Sequence, residues 1–130
     1  MSVKKSLFKN YKIKPAFTDK RGAIFDLVEE KVSHVGLITF TKGAVRGNHY
    51  HKKSTQYTYI LKGKIKFVVS DVHGKHKKSF ILTEGMVSHI PPQMTHAYKA
   101  LTPAAMLDIT TLARGVKGYE EDTVRVIILN

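Results

Sequence analysis

The chain has 130 residues, 42% of them hydrophobic, which suits one domain with a buried core. It carries 22 Lys and Arg against 10 Asp and Glu, a formal net charge of +12, and no cysteine. Disulfides, thiolate metal sites and a cysteine nucleophile are therefore excluded, and any metal must be held by His, Gln, Asp or Glu.

The opening stretch MSVKKSLFKNYKIK is basic but lacks the apolar run of a secretory signal, and it offers lysines without arginine to a mitochondrial presequence. The cytoplasm is the expected location, and no apolar run of about 18 residues is present to cross a membrane. Short segments rich in Val, Ile, Tyr, Phe and Thr then follow one another: residues 23–30, 34–40, 56–63, 64–71, 79–83, 86–91, 105–112 and 123–129 are expected strands. Gly63 in LKGK (61–64) and the polar stretch DVHGKHKK (71–78) mark hairpin turns. Lys62, Lys64 and Lys66 read as a solvated edge that discourages stray strand pairing. Residues 112–122 hold a turn or a short helix at most, and no segment keeps a helical period for three turns. The pattern predicts an all-β sandwich or barrel in a single domain over residues 1–130, with a ligand site between its sheets or at its mouth. The scattered lysines, without an Arg-rich helix, zinc-finger spacing or RNP-type strand, make nucleic acid an unexpected partner. A phosphate-bearing small molecule needs only two or three of these charges.

One stretch asks for more than a sheet. In VRGNHYHKKSTQY, His49 and His51 stand two apart and so share one strand face, directed inward if Tyr50 faces out. If KKST reverses the chain, Gln56 sits beside them on the next strand. His96, after the proline-stiffened HIPPQMTH, completes a set of three imidazoles and one oxygen donor, ligands suited to Zn, Fe, Mn or Ni. Tyr98 falls on the same face as His96 and is a candidate general acid. His34, His73, His76 and His89 are expected bystanders, and Tyr57 and Tyr59 are expected to pack rather than catalyse.

These positions resemble the two motifs of the cupins. Gly43, His49, His51, Gln56 and Gly63 match the first motif at every spacing, with Gln56 where glutamate is usual. Gly85, Pro91 and His96 match the second, in which Gln93 stands in place of a glycine and Ala100 in place of an asparagine. The resemblance implies a single-domain cupin β-barrel of the jelly-roll kind, with one divalent metal ion on His49, His51, Gln56 and His96. The neutral amide of Gln56 leaves the full charge of such an ion in place, which favours an anionic substrate.

A narrower resemblance rests on FTDKRGAIFDL (17–27), VRGNHYHK (45–52), HIPPQMTHAY (89–98) and GYEEDTVR (118–125). These are similar to stretches of the sugar-nucleotide cupins, the deoxysugar 3,5-epimerases and 3,4-ketoisomerases. The resemblance implies that Arg21 and Arg46 bind a nucleotide diphosphate, that His49 or His51 is the base beside a ketone, and that the protein is a homodimer. MLDITTL (106–112) departs from the epimerases: it lacks their Tyr-x-x-Thr acid segment, and Asp108 is its one ionisable residue. Two other readings stand beside this one, a mononuclear metal dioxygenase or lyase acting on a small organic acid or osmolyte, and a sugar-binding module without activity.

Overall fold

A computed structural model describes residues 8–113 and 120–130. Twelve strands are present among them: β1 (Lys9–Lys12), β2 (Phe17–Asp19), β3 (Gly22–Ile24), β4 (His34–Phe40), β5 (Val45–His51), β6 (Gln56–Lys62), β7 (Lys64–Ser70), β8 (Lys78–Thr83), β9 (Met86–Ile90), β10 (Thr95–Ala100), β11 (Ala104–Thr110) and β12 (Thr123–Arg125). One five-stranded sheet runs β1-β9-β6-β11-β4, a second runs β12-β5-β10-β7-β8, and β2-β3 is a separate hairpin. Every pairing is antiparallel. The all-β expectation therefore holds, as two sheets packed face to face. No helix among the described residues is long and apolar enough to cross a membrane.

Alternation along the strands decides what lies between the sheets. On β6 the buried residues are Gln56, Thr58 and Ile60, while Tyr57 and Tyr59 turn outward. On β10, His96, Tyr98 and Ala100 face in. Each inner strand thus starts polar and ends apolar. Phe67, Ile65, Leu82, Ile60 and Met106 close one end of the sandwich as a fully buried core, and the histidines occupy the other.

The motif glycines act through their backbones. Gly43, Gly63 and Gly85 all have positive φ, from +84° to +90°. Gln93, at the position where the second motif has glycine, also sits at a φ of 62°, and its N–H donates to the His51 carbonyl at 2.7 Å. A left-handed conformation costs a side-chain-bearing residue about 1–2 kcal/mol, against about 0.5–1 kcal/mol for the extra entropy glycine loses. Gln93→Gly is accordingly expected to stabilise the protein by about 0.5–1 kcal/mol, read as a higher denaturant midpoint with an unchanged slope.

Three expectations need correction. The segment 23–30 leaves the strand after Ile24. Its acid-rich part instead lies against the outer face of the first sheet, where Tyr57 donates to Glu30 and stacks on His89, with ring centroids 4.6 Å apart and planes within 10°. The segment 123–129 is a strand only to Arg125, because the chain beyond binds the side chain of Asn48 in place of a continued ladder. Lys62, Lys64 and Lys66 are not at an edge: β6 lies between β9 and β11, and β7 between β10 and β8. The expected turn at 112–122 lies largely outside the described residues, and residues 120–122 are helical.

Candidate active site

His49 and His51 project inward from β5, and His96 from β10, whose register sets it directly opposite His49. The ring centroids are 5.0 Å apart for His49–His51, 4.9 Å for His49–His96 and 5.4 Å for His51–His96. One ligand nitrogen from each lies within 4.8 Å of the others. Gln56 is not on a strand neighbouring His51: residues 52–55 carry the chain from the second sheet across to the first, and Gln56 Oε1 meets His51 Nε2 at 3.0 Å from the facing sheet. All four residues are buried, His96 completely and His49 to 8% exposure.

Acceptors behind the cluster orient it. His96 Nδ1 donates to the Met94 carbonyl at 3.1 Å, which turns Nε2 toward the centre. His51 Nδ1 faces Asp122 Oδ2 at 3.5 Å and the Thr123 hydroxyl at 3.4 Å. Gln56 Nε2 donates to the Tyr98 hydroxyl at 3.1 Å, so its carbonyl oxygen is the end presented to His51. The Tyr98 hydroxyl also pairs with Thr58 Oγ1 at 2.7 Å. Two imidazoles with oxygen groups behind them, a third beside them and an oriented amide oxygen fit a divalent cation.

A cavity of about 370 Å³ opens in front of this cluster, within the range of small-molecule sites. His49, Gln56, Tyr98 and Asp108 line it, with Arg46 and Arg125 also on its wall. His51 and His96 do not line it. Arg46 extends over the Phe40 ring, 5.4 Å from its centroid, and donates to the Thr39 carbonyl at 3.1 Å. Arg125 pairs in register with His49, the cross-strand position that sets two side chains on one face. A wider groove of about 700 Å³ lies outside the first sheet, along β1 and residues 26–29, and holds none of the histidine cluster.

The expected site is thus assembled with one exception. Arg21 lies on the β2-β3 hairpin with its side chain 81% exposed and bonded to Asp19 at 2.6 Å, away from this cavity. That guanidinium holds the Asp19 carboxyl below its usual range. The bystanders stand apart as expected: His76 is exposed in a loop near Asp71, and His89 stacks on Tyr57 outside. Sequence reading missed Asp122, Arg125 and Asn48, and left Asp108 without a role although it is 2% exposed and lines the cavity. Arg125 and Asp122 fell within a tail stretch already noted as similar to the ketoisomerases, which was the available signal.

Comparison with solved structures finds the same architecture in sugar-nucleotide enzymes. The sugar 3,4-ketoisomerase QdtA of Thermoanaerobacterium thermosaccharolyticum, in complex with TDP, superposes with a TM-score of 0.74 at 22% identity over 92% of this chain and 88% of that one. A 3,4-ketoisomerase of Helicobacter canadensis gives 0.71 at 21% over 88% and 92%. The dTDP-4-dehydrorhamnose 3,5-epimerase of Sulfolobus tokodaii gives 0.69 at 21% over 92% and 81%. At these identities the likeness establishes the fold. No curated protein sequence matches the chain. The Cupin domain family matches residues 36–110, a span that contains both glycine-histidine motifs and the whole histidine cluster. The chain belongs to the cupin family.

Proposed function

We propose that the protein is an isomerase or epimerase of a keto-deoxysugar nucleotide, working by proton transfer beside a carbonyl. The observation that carries this reading is the cavity wall: an imidazole (His49) and a phenol (Tyr98) share it with two guanidinium groups (Arg46 and Arg125). Arginine forks suit the oxygens of a diphosphate. His49 takes the proton from the carbon next to the ketone. The Tyr98 hydroxyl, held by Thr58 and Gln56, stands on the same wall to hydrogen-bond the developing enolate oxygen. Return of the proton to the former carbonyl carbon, with the adjacent hydroxyl proton passing to the former carbonyl oxygen, completes a ketoisomerisation; return to the opposite face of the same carbon gives the epimer. The solved relatives support the substrate class, since QdtA is described with TDP and, in another structure, with TDP-4-keto-6-deoxyglucose.

The test is deuterium incorporation. Incubation with TDP-4-keto-6-deoxyglucose in heavy water should place deuterium on the carbon beside the ketone, seen by NMR. Neither exchange nor any thermal shift with thymidine or uridine diphosphate sugars would overturn the reading.

In the alternative, metal-loaded form, His49, His51, His96 and Gln56 would hold one divalent cation, with His49 then a ligand and no longer the base. When bound, such an ion supplies electrophilic polarisation of a substrate oxygen. Because Gln56 contributes no charge, Gln56→Glu is expected to raise Zn²⁺ affinity by at least about tenfold through the added carboxylate. Competition with a chromophoric chelator on metal-stripped protein measures this, and unchanged affinity would remove Gln56 from the ligand set.

A homodimer is inferred from the surface. Val35 and Leu37 on edge strand β4 are 58% and 65% exposed, and this edge carries neither lysine nor proline to discourage pairing. The hairpin displays Phe17 and Ile24 at 52% and 58%. A second copy covering these residues offers Arg21 a route to the neighbouring site. Sedimentation equilibrium showing a monomer would remove this inference.

A further inference from the structure

Asn48 is absorbed by neither the motif nor the proposed chemistry, yet it is 9% exposed and forms four hydrogen bonds with residues 126–129. It is the extra residue of a β-bulge. On β10, His96 pairs with His49 and Ala97 pairs with Gly47, so Asn48 has no partner there and adopts a φ of 59°. Gly47 beside it has a φ of 88°, and a Cβ there would meet the His96 carbonyl oxygen at 2.8 Å. The bulge is therefore built in by close backbone approach, and it lets both Arg46 and His49 reach the cavity although an odd number of positions separates them.

The freed carboxamide is bonded through both its oxygen and its nitrogen. Asn48 Oδ1 accepts from Ile128 N–H at 2.9 Å and Leu129 N–H at 3.0 Å, and Nδ2 donates to the Leu129 carbonyl at 2.9 Å. The Asn48 carbonyl accepts from Val126 N–H at 2.9 Å. Ile128 then packs on Val68 and Ala97 on the outer side of the second sheet. At the other end of β12, Asp122 accepts from Lys53 N–H through its side chain and from Lys52 N–H through its carbonyl, both at 2.8 Å. Between these two anchors lie Arg125 and Ile127, both on the cavity wall.

We propose that Asn48 is a positioning residue: by clamping residues 126–129 it holds Arg125 and Ile127 at the mouth of the cavity, so that the C-terminal segment forms the anion-binding wall facing Arg46. The ligand side of this statement rests on the nucleotide-sugar reading; the clamp itself does not. Asn48→Gly separates the carboxamide from the backbone, since glycine keeps the left-handed conformation and removes only the side chain. Asn48→Asp keeps the acceptor for both amides but sets a carboxylate oxygen against the Leu129 carbonyl.

Two measurements on the full chain test it. Amide hydrogen exchange at Ile128 and Leu129 should accelerate at least tenfold in Asn48→Gly and less in Asn48→Asp, with β6 and β11 unchanged. Pyrophosphate titrated calorimetrically should bind Asn48→Gly about as weakly as Arg125→Gln, by a factor of five to ten below the parent, and the double variant should lose nothing further. Unchanged exchange, or additive losses in the double variant, would overturn the proposal. A parent protein with protected amides that does not bind pyrophosphate would overturn the anion wall together with the nucleotide-sugar reading, and leave the clamp to be decided by exchange alone.

Discussion

His49→Gln is expected to lower deuterium incorporation beside the substrate carbonyl by about 10²–10⁴-fold while leaving binding of the nucleotide diphosphate nearly intact. Among the three clustered imidazoles, His49 is the one that lines the cavity. A base must reach the proton it removes, so geometry favours His49 over its neighbours. Glutamine keeps a polar side chain of similar reach at this nearly buried position, so loss of activity is not expected to reflect loss of fold. Exchange retained above a tenth of the parent rate would move the base elsewhere, and the phenol of Tyr98, on the same wall, would become the group to test. The comparison also bears on the competing readings from sequence. A metal dioxygenase or lyase predicts loss of metal with His49, without proton exchange in the parent. A sugar-binding module predicts retained ligand binding and no exchange in either protein.

Gly63→Ala carries the largest expected loss of stability, about 3 kcal/mol. At a φ of +90° any side chain pays the left-handed cost of about 1–2 kcal/mol. A Cβ would also lie 2.5 Å from the Pro103 carbonyl oxygen and 2.7 Å from Ala104 Cβ, and forcing such contacts apart costs about 1–3 kcal/mol. Neither neighbour is the end of a flexible side chain, so the strain must be taken up by the turn between β6 and β7 or by the start of β11. Guanidinium unfolding and a thermal scan measure the effect, with a fall of about 10 °C in midpoint expected for a domain of this size. A loss below about 1 kcal/mol would show that this turn relaxes freely.

The period-2 patterns, the motif glycines and the two-residue spacing of His49 and His51 were legible from sequence because each depends on local geometry. Strand alternation sets which side chains share a face, and a positive φ selects glycine at a turn. Gln56 was legible as a member of the cluster from its motif spacing, but it was expected on a neighbouring strand and instead meets His51 from the opposite sheet. His96 was not local, but the second motif carried its position. Where local rules were applied past their reach they erred. The apolar-looking 23–30 stops being a strand after Ile24, since Glu30 finds Tyr57 across the outer face. The lysines of β6 and β7 were placed at an edge that the strand order moves inside.

What only the tertiary structure decided is which candidates meet. His51 reaches Thr123 across 72 positions, and Asn48 reaches Leu129 across 81. Such pairings follow from the order β12-β5-β10-β7-β8, which no periodicity encodes. That order brings Arg125 beside His49 and Asp122 behind His51, while Arg21 stays on a hairpin outside both sheets. The sequence therefore determined the chemistry available, three imidazoles and their amide, because those residues are close along strands or tied to motif turns. Sheet order and one bulge determined which groups face the cavity, because side-chain direction depends on long-range register and a single extra residue reverses it.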